Sequence, residues 1–172
     1  MPSIGKINDQ SEDIQDYSIL QKTCHWTIAL LCVAEFPTAE GIRRSHMGHV
    51  FGIKAPAIDL FRAAAHEWGG WTILVLVLLL LTDRVLRGAP SLPDSMKPWQ
   101  RWAAYLAHTA IYLGLFALVA SGAVAMYFDG RIAFLHIALA RIGVGLIAIH
   151  VAAALWHQII RRDGLMERML PR

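Results

Sequence analysis

Four stretches of the chain are rich in hydrophobic residues and poor in charge, and polar segments separate them. Residues 68–82, 102–128 and 142–160 contain no charged side chain, and with its flanks each approaches or exceeds the ~20 residues that a helix needs to cross a bilayer. A weaker fourth candidate covers residues 18–37, because Glu35 and Pro37 interrupt it. The pattern predicts an all-α protein, a four-helix transmembrane bundle, with helices at about 18–37, 59–87, 99–128 and 131–161 and the fourth helix at its centre.

Local signals set these boundaries. Ser18 with Gln21 has the spacing of a capping box that opens the first helix, and Pro37 with Gly41 predicts its end. A long polar loop would then lead to the second helix. Three prolines in residues 88–98 break the chain after that helix, and Asp129 with Gly130 predicts a tight reversal into the fourth.

The distribution of Lys and Arg predicts the orientation. Residues 1–17 are polar and acidic, unlike a cleavable signal, and they are expected to form a cytoplasmic tail. The two termini and the loop after the second helix hold ten Lys and Arg residues, against five on the opposite side. Because cytoplasmic loops carry the excess of positive charge, both termini should be cytoplasmic, with 164–172 as a basic tail. Residues 18–163 form one domain.

Composition agrees with a membrane protein and excludes several other classes. Hydrophobic residues make up 56% of the chain, and the mean hydropathy of +0.44 is high for a soluble domain. Membrane lipid is the expected surrounding, and no nucleic-acid partner is expected. The sequence has no C-x-x-C-H motif, Fe–S ligand set or nucleotide fingerprint. Any haem would therefore be bound without covalent attachment.

Histidines within the apolar stretches are the candidate chemistry. His136, Gly143, His150 and His157 follow one another at seven-residue intervals on the fourth helix, so they lie near one face, with about 21 Å between His136 and His150. Gly143 leaves that face without a side chain between the two imidazoles. One helix could therefore offer ligands to a flat group at each of two depths.

Depth predicts partners for these ligands. His66 and His136 lie near the non-cytoplasmic ends of their helices and can face each other, whereas His25 and His150 lie in the cytoplasmic half. Histidine is a common haem ligand and is costly in a membrane, so two such pairs predict two bis-histidine haem sites. Depth does not separate His25 from His108. Interhelical hydrogen bonds in a haem-free protein are the alternative for each histidine, and His157 could bind a quinone or a haem propionate, or simply extend to the interface.

Taken together, these motifs resemble a known family. Thr23-Cys24-His25-Trp26 in the first helix, a histidine early in the second, Trp-Gln-Arg-Trp-Ala-x-x-x-Ala-His (99–108) in the third, and His136 with His150 in the fourth resemble the bacterial cytochrome b561 family, and within it the branch that oxidises superoxide. The resemblance extends from about residue 18 to the C-terminus.

The resemblance implies a cofactor set and an activity. It implies two haems b, one held by His25 and His150 on the cytoplasmic side and one by His66 and His136 on the periplasmic side. It makes His108 and His157 neighbours of a haem propionate or of ubiquinone. The implied protein lies in the bacterial inner membrane, oxidises superoxide at the periplasmic face and reduces ubiquinone. The alternative is a cytochrome b subunit, or a simple electron carrier, that links the quinone pool to a periplasmic redox protein such as a dehydrogenase or hydrogenase.

Charged residues outside this pattern give two further expectations. Arg141 points away from the histidine face, and Glu35 is the acid at a compatible depth, so the two are expected to pair unless Arg141 faces another subunit. A second group of cations makes the predicted outer loop basic; its members are Arg43, Arg44, Lys54 and Arg62. Such a loop could attract superoxide electrostatically, although contact with lipid headgroups explains it equally well.

Overall fold

The structure is a computed structural model that describes residues 16–88, 90–93 and 96–170. Residues 1–15 and 171–172, which belong to the two predicted tails, lie outside the described ranges. Within those ranges the chain forms helices and turns without a strand. The four long helices are α1 (Ile19–Val50), α2 (Ala57–Arg87), α3 (Pro98–Tyr127) and α4 (Ala133–Trp156). The prediction of an all-α fold with four helices is confirmed.

Three of these helices are long and apolar enough to cross a membrane. They are Ala57–Arg87, Pro98–Tyr127 and the continuous helical segment Gly130–Arg161. Large apolar side chains such as Leu113 and Phe134 point outward and are exposed, as expected for surfaces that lie in hydrocarbon. The chain is therefore a multi-pass membrane protein by length and composition.

The first helix is longer than predicted. The capping box is present, since Ser18 Oγ accepts from Gln21 N at 3.1 Å and Gln21 Oε1 accepts from Ser18 N at 3.2 Å. At the other end, the predicted stop at Pro37 is wrong, because α1 continues through it to Val50. The Thr38 hydroxyl, directly after the proline, donates to the carbonyl of Ala34 at 2.8 Å, as serine and threonine side chains commonly do within helices.

Packing explains why the helix continues past Gly41. A Cβ on Gly41 would lie 2.6 Å from both the carbonyl oxygen of Asp59 and the amide nitrogen of Ala63, so the glycine lets the start of α2 approach α1 closely. Gly41 is buried for this reason and is not a helix stop. The predicted loop shrinks to the short connection between Val50 and Ala57.

The buried core lies between α1 and α2. Cys24 and Ile28 of α1 meet Ile73, Val77 and Leu80 of α2, at the spacings that place residues on one helical face. Helix α4 packs against α3 and contains no buried residue, so the prediction of a central fourth helix is wrong in terms of burial. The bundle is built as two packed helix pairs, and α4 meets α1 and α2 through its histidines.

The C-terminal segment folds back over one end of the bundle. Helix α4 continues as a wider π-helical turn (His157–Arg161), and Arg162 with φ 51° and Gly164 with φ 73° then reverse the chain. The segment returns to α1, where Trp26 Nε1 donates to the carbonyl oxygen of Met169 at 2.9 Å. Arg168 is buried and donates to the carbonyl oxygen of Ser91 at 2.9 Å.

Candidate functional site

His66 of α2 and His136 of α4 face each other near one end of the bundle. Their ring centroids are 6.2 Å apart, with an angle of 88° between the ring planes. We call these two residues the histidine pair. Helix α4 brings His136 to this level directly after the reversal at Asp129, whose side chain accepts from the Arg131 amide at 3.0 Å.

Each ring of the histidine pair is oriented by an oxygen at Nδ1. Nδ1 of His136 lies 2.9 Å from the carbonyl oxygen of Leu118, and Nδ1 of His66 lies 2.5 Å from Glu35 Oε2. A carbonyl oxygen can only accept, so Nδ1 of His136 carries the hydrogen. This leaves the Nε2 lone pair available, which is the tautomer that a metal-bound histidine usually adopts.

Three further histidines meet near the opposite end of α4. The His25 and His150 ring centroids are 6.2 Å apart at an interplanar angle of 63°, and the His108 ring lies 5.1 Å from that of His150. We call these three residues the histidine triplet. His108 donates from Nδ1 to the carbonyl oxygen of Ala104 at 2.7 Å, and the Trp26 ring meets His25 edge-on at 5.5 Å.

The spacing of the rings fits two imidazoles that would hold one haem iron between them. Two imidazoles that bind one metal from opposite sides, each through a nitrogen at about 2 Å, have centroids roughly 6 Å apart. Both the histidine pair and the His25–His150 combination match this value, whereas His108 lies closer to His150. A Cβ added to Gly143, between the two levels, would meet no atom within 4 Å. The α4 face between His136 and His150 therefore carries no side chain at Gly143 and no close neighbour there.

The residues present suit a metal ion that a cofactor already coordinates through most of its positions. Among the described residues, no group of three or more His, Cys, Asp or Glu side chains is arranged to hold a bare metal ion. Haem iron takes four ligands from its porphyrin and needs only two from the protein. Two imidazoles at each level are the donor set that such an iron requires.

His108 and His157 occupy separate surroundings. A cavity at the triplet end is lined by eight residues: Tyr17, Gln21, His25, Leu80, Arg84, His108, Tyr112 and Met169. His157 is not among them; its Nδ1 lies 2.5 Å from Asp163 Oδ2, just beyond the end of the helical segment. The structure therefore does not bring the two predicted quinone neighbours into one cavity.

The predicted ion pair between Glu35 and Arg141 is wrong. The carboxylate of Glu35 contacts His66 instead, while Arg141 is exposed on α4 and forms no ion pair with a described residue. The physical reason is the direction of the two side chains, because Glu35 faces α2 within the α1–α2 pair and Arg141 points outward from α4. The sequence indicated that Glu35 is an acid with a high energetic cost in the membrane. It did not indicate that His66 is the partner of this acid.

The basic residues of the predicted outer loop are largely paired. Arg43 and Arg44 both bind the carboxylate of Glu40 on the last turns of α1, and Arg62 Nη1 lies 3.6 Å from Asp59 Oδ1. The guanidiniums of Arg43 and then Arg44 lower the pKa of Glu40 to about 2. The surface keeps an excess of positive charge, because four cations meet two acids there.

Comparison with known proteins agrees with this arrangement. The family model described as prokaryotic cytochrome b561 matches residues 16–172. The chain is 29% identical to cytochrome b561 homolog 1 of Escherichia coli (strain K12), across 91% of this chain and 97% of that protein. It is 25% identical to a probable superoxide oxidase CybB of Yersinia pestis, across 91% and 96% of the two chains.

This chain belongs to the prokaryotic cytochrome b561 family. The resemblance inferred from the histidine motifs is confirmed. Members of the family are membrane cytochromes that bind haem b and transfer electrons, and the two histidine levels provide a fitting donor set for that cofactor.

Proposed function

We propose that this protein binds two haems b and passes single electrons across the inner membrane between them. The observation that carries this proposal is the equal 6.2 Å centroid spacing of His66–His136 and His25–His150 at two levels of one helix. Haem b, when bound, supplies an iron that accepts and releases one electron at a time. His66 and His136 would hold one iron, and His25 and His150 the other.

The histidines also define what the protein would not do. Two imidazoles per iron leave no open coordination position, so dioxygen or superoxide would exchange electrons without binding the metal. His108, already hydrogen-bonded to Ala104 and closer to His150 than an intervening iron allows, would act as a neighbour of the cofactor and not as its ligand. This choice between His25 and His108 also follows the family motif.

In the proposed topology residues 18–37, at the start of α1, form a fourth span and both termini are cytoplasmic. The charge count supports this orientation, because the triplet end of the bundle carries the larger number of Lys and Arg residues. The histidine pair would then face the periplasm and the histidine triplet the cytoplasm.

The proposed substrates are superoxide on the periplasmic side and ubiquinone on the cytoplasmic side. Each of two superoxide anions would lose one electron to give dioxygen, and two electrons with two protons would convert ubiquinone to ubiquinol. The printed name of the Yersinia pestis relative supports superoxide, and the excess positive charge around Arg43, Arg44 and Arg62 would attract a small anion.

The surroundings of His157 at the cytoplasmic end suit the quinone head group better than the cavity at the triplet end does. The cavity beside His25 and His108 borders the inner ligand level, but its volume of about 30 Å³ is too small for a quinone head group. His157 lies about 10 Å beyond His150 along the helix, and its ring is held by the Asp163 carboxylate. An imidazole oriented by a carboxylate can pass a proton to a reduced quinone. We expect His157 to serve the quinone head group and His108 to border the cofactor.

Superoxide-dependent reduction of ubiquinone by the purified chain tests the proposal. We expect turnover by the wild-type protein, a sharp reduced α band in its absorption spectrum, and loss of turnover in His136→Ala. Raising the ionic strength should slow the reaction if the basic surface attracts superoxide. A wild-type protein with both haems, no superoxide turnover and a co-purifying dehydrogenase or hydrogenase would favour the electron-transfer subunit instead.

A further inference from the structure

Glu35 and His66 form a carboxylate–imidazole contact between α1 and α2. Glu35 Oε2 lies 2.5 Å from His66 Nδ1, and the two side chains are only 19% and 21% exposed. The backbone carbonyl of Glu35 lies 3.2 Å from the same nitrogen. One residue of α1 therefore surrounds the Nδ1 side of this ring with acceptors and directs Nε2 away from α1.

The backbone of α2 is shaped to accept this carboxylate. A Cβ built on Gly69 would overlap Glu35 Oε1 and would lie 3.3 Å from its Cδ. Gly69 stands three residues after His66 on the same face of α2, so the helix that carries the imidazole also provides the space for its acid. The Glu35–His66 contact therefore depends on complementary shapes of α1 and α2 at this position.

The other ring of the histidine pair has a different partner. His136 Nδ1 lies 2.9 Å from the neutral carbonyl of Leu118 and 3.3 Å from the Ser121 hydroxyl. A carboxylate attracts the Nδ1 hydrogen more strongly than a carbonyl does, and it thereby makes the ring a stronger electron donor at Nε2. Stronger donation to an iron stabilises its oxidised form and lowers its reduction potential.

We propose that Glu35 is a positioning residue for His66 that lowers the reduction potential of the haem held by the histidine pair. This inference rests on the proposed binding of a haem between His66 and His136. No described residue makes a hydrogen bond to the rings of His25 or His150, so the carboxylate distinguishes the two levels. Glu35 thus makes transfer of electrons from the pair level to the triplet level more favourable.

A redox titration of the α band of the haem-loaded, full-length protein tests the proposal. In Glu35→Gln one of the two titrating components should shift by at least tenfold in its reduction equilibrium, which is about 59 mV towards higher potential for one electron. The other component should remain in place. The matched control is Glu67→Gln, because Glu67 is adjacent to His66 in sequence but accepts its hydrogen bond from Tyr127; it should leave both components unchanged.

Three other results of these titrations would each lead to a different conclusion. Two haem components that are unchanged in Glu35→Gln would overturn the proposal. If that variant loses one haem or fails to fold, Gly69→Ala gives a second test, because it displaces the carboxylate while keeping its charge; the same upward shift supports the proposal, and unchanged potentials overturn it. A wild-type protein without two bis-histidine haem components would instead refute the proposed function itself.

Discussion

The histidine pair and the histidine triplet orient their rings by different means. In the pair, His66 and His136 each have an oxygen acceptor at Nδ1, a carboxylate for one and a backbone carbonyl for the other. In the triplet, His108 alone has such an acceptor, and aromatic contacts surround His25 and His150. The pair should therefore depend on its hydrogen-bond partners, whereas the triplet should depend on packing and on a third imidazole.

The largest expected effect comes from removing one α4 ligand at each level. His136→Ala and His150→Ala should each lower the haem content by half, since each deletes one of two imidazoles needed at its level. Haem-to-protein ratios of the purified variants measure this, and redox titration shows which component remains. Loss of the same component in both variants would contradict the assignment of separate levels.

The next largest effect is expected from replacing His25 or His108, the two candidate partners of His150. His25→Ala should lose the triplet-level haem, whereas His108→Ala should keep it with a shifted absorption maximum, because only His25 stands at the spacing of an opposite ligand. The absorption spectrum and haem ratio of the two variants decide between them. Retention in His25→Ala together with loss in His108→Ala would reverse the assignment.

A side chain added next to the ring of His136 should have an intermediate effect on stability and haem retention. A Cβ on Gly122 of α3 would lie 2.9 Å from His136 Cε1, and the rigid ring can yield only by leaving its position. Gly122→Ala should cost about 1–3 kcal/mol of stability and weaken haem retention at that level alone.

The matched control is Gly114→Ala on the same helix, where the added Cβ would meet Leu146 at an ordinary 3.8 Å. Thermal unfolding followed at the haem absorption band compares the two variants. Equal behaviour would show that the ring of His136 adapts freely.

The smallest expected effect concerns pH at the C-terminal part of α1. Arg43 and Arg44 lower the pKa of Glu40 to about 2 from 4.5, so this acid contributes stability above about pH 4.5 that is lost as the pH falls towards 2. Amide exchange of residues 38–50 in detergent should accelerate over that window. Glu40→Gln should remove this pH dependence of exchange in residues 38–50.

Apolar length and histidine spacing predicted the four long helices and the pairing of His66 with His136 and of His25 with His150. Both are local properties of a helix in a membrane. The continuation of α1 through Pro37 was not predictable, because it depends on how closely Gly41 lets α2 approach. The partners of Glu35 and His157 were not predictable either. Side-chain contacts between helices depend on how each helix is rotated about its axis. The hydrophobic pattern does not determine that rotation when nearly every face of a helix is apolar.

Under the proposed function, helix α4 would supply one ligand to each level, and the return of the C-terminal segment to Trp26 joins the last described residues to the first helix. During synthesis the nascent chain therefore exposes His25 and His66 long before their counterparts exist. Neither cofactor position can be completed until α4 has entered the membrane, and the Met169 contact forms only after that. Under the proposed function, haem loading would therefore be a late event of biogenesis, because each site would need α4.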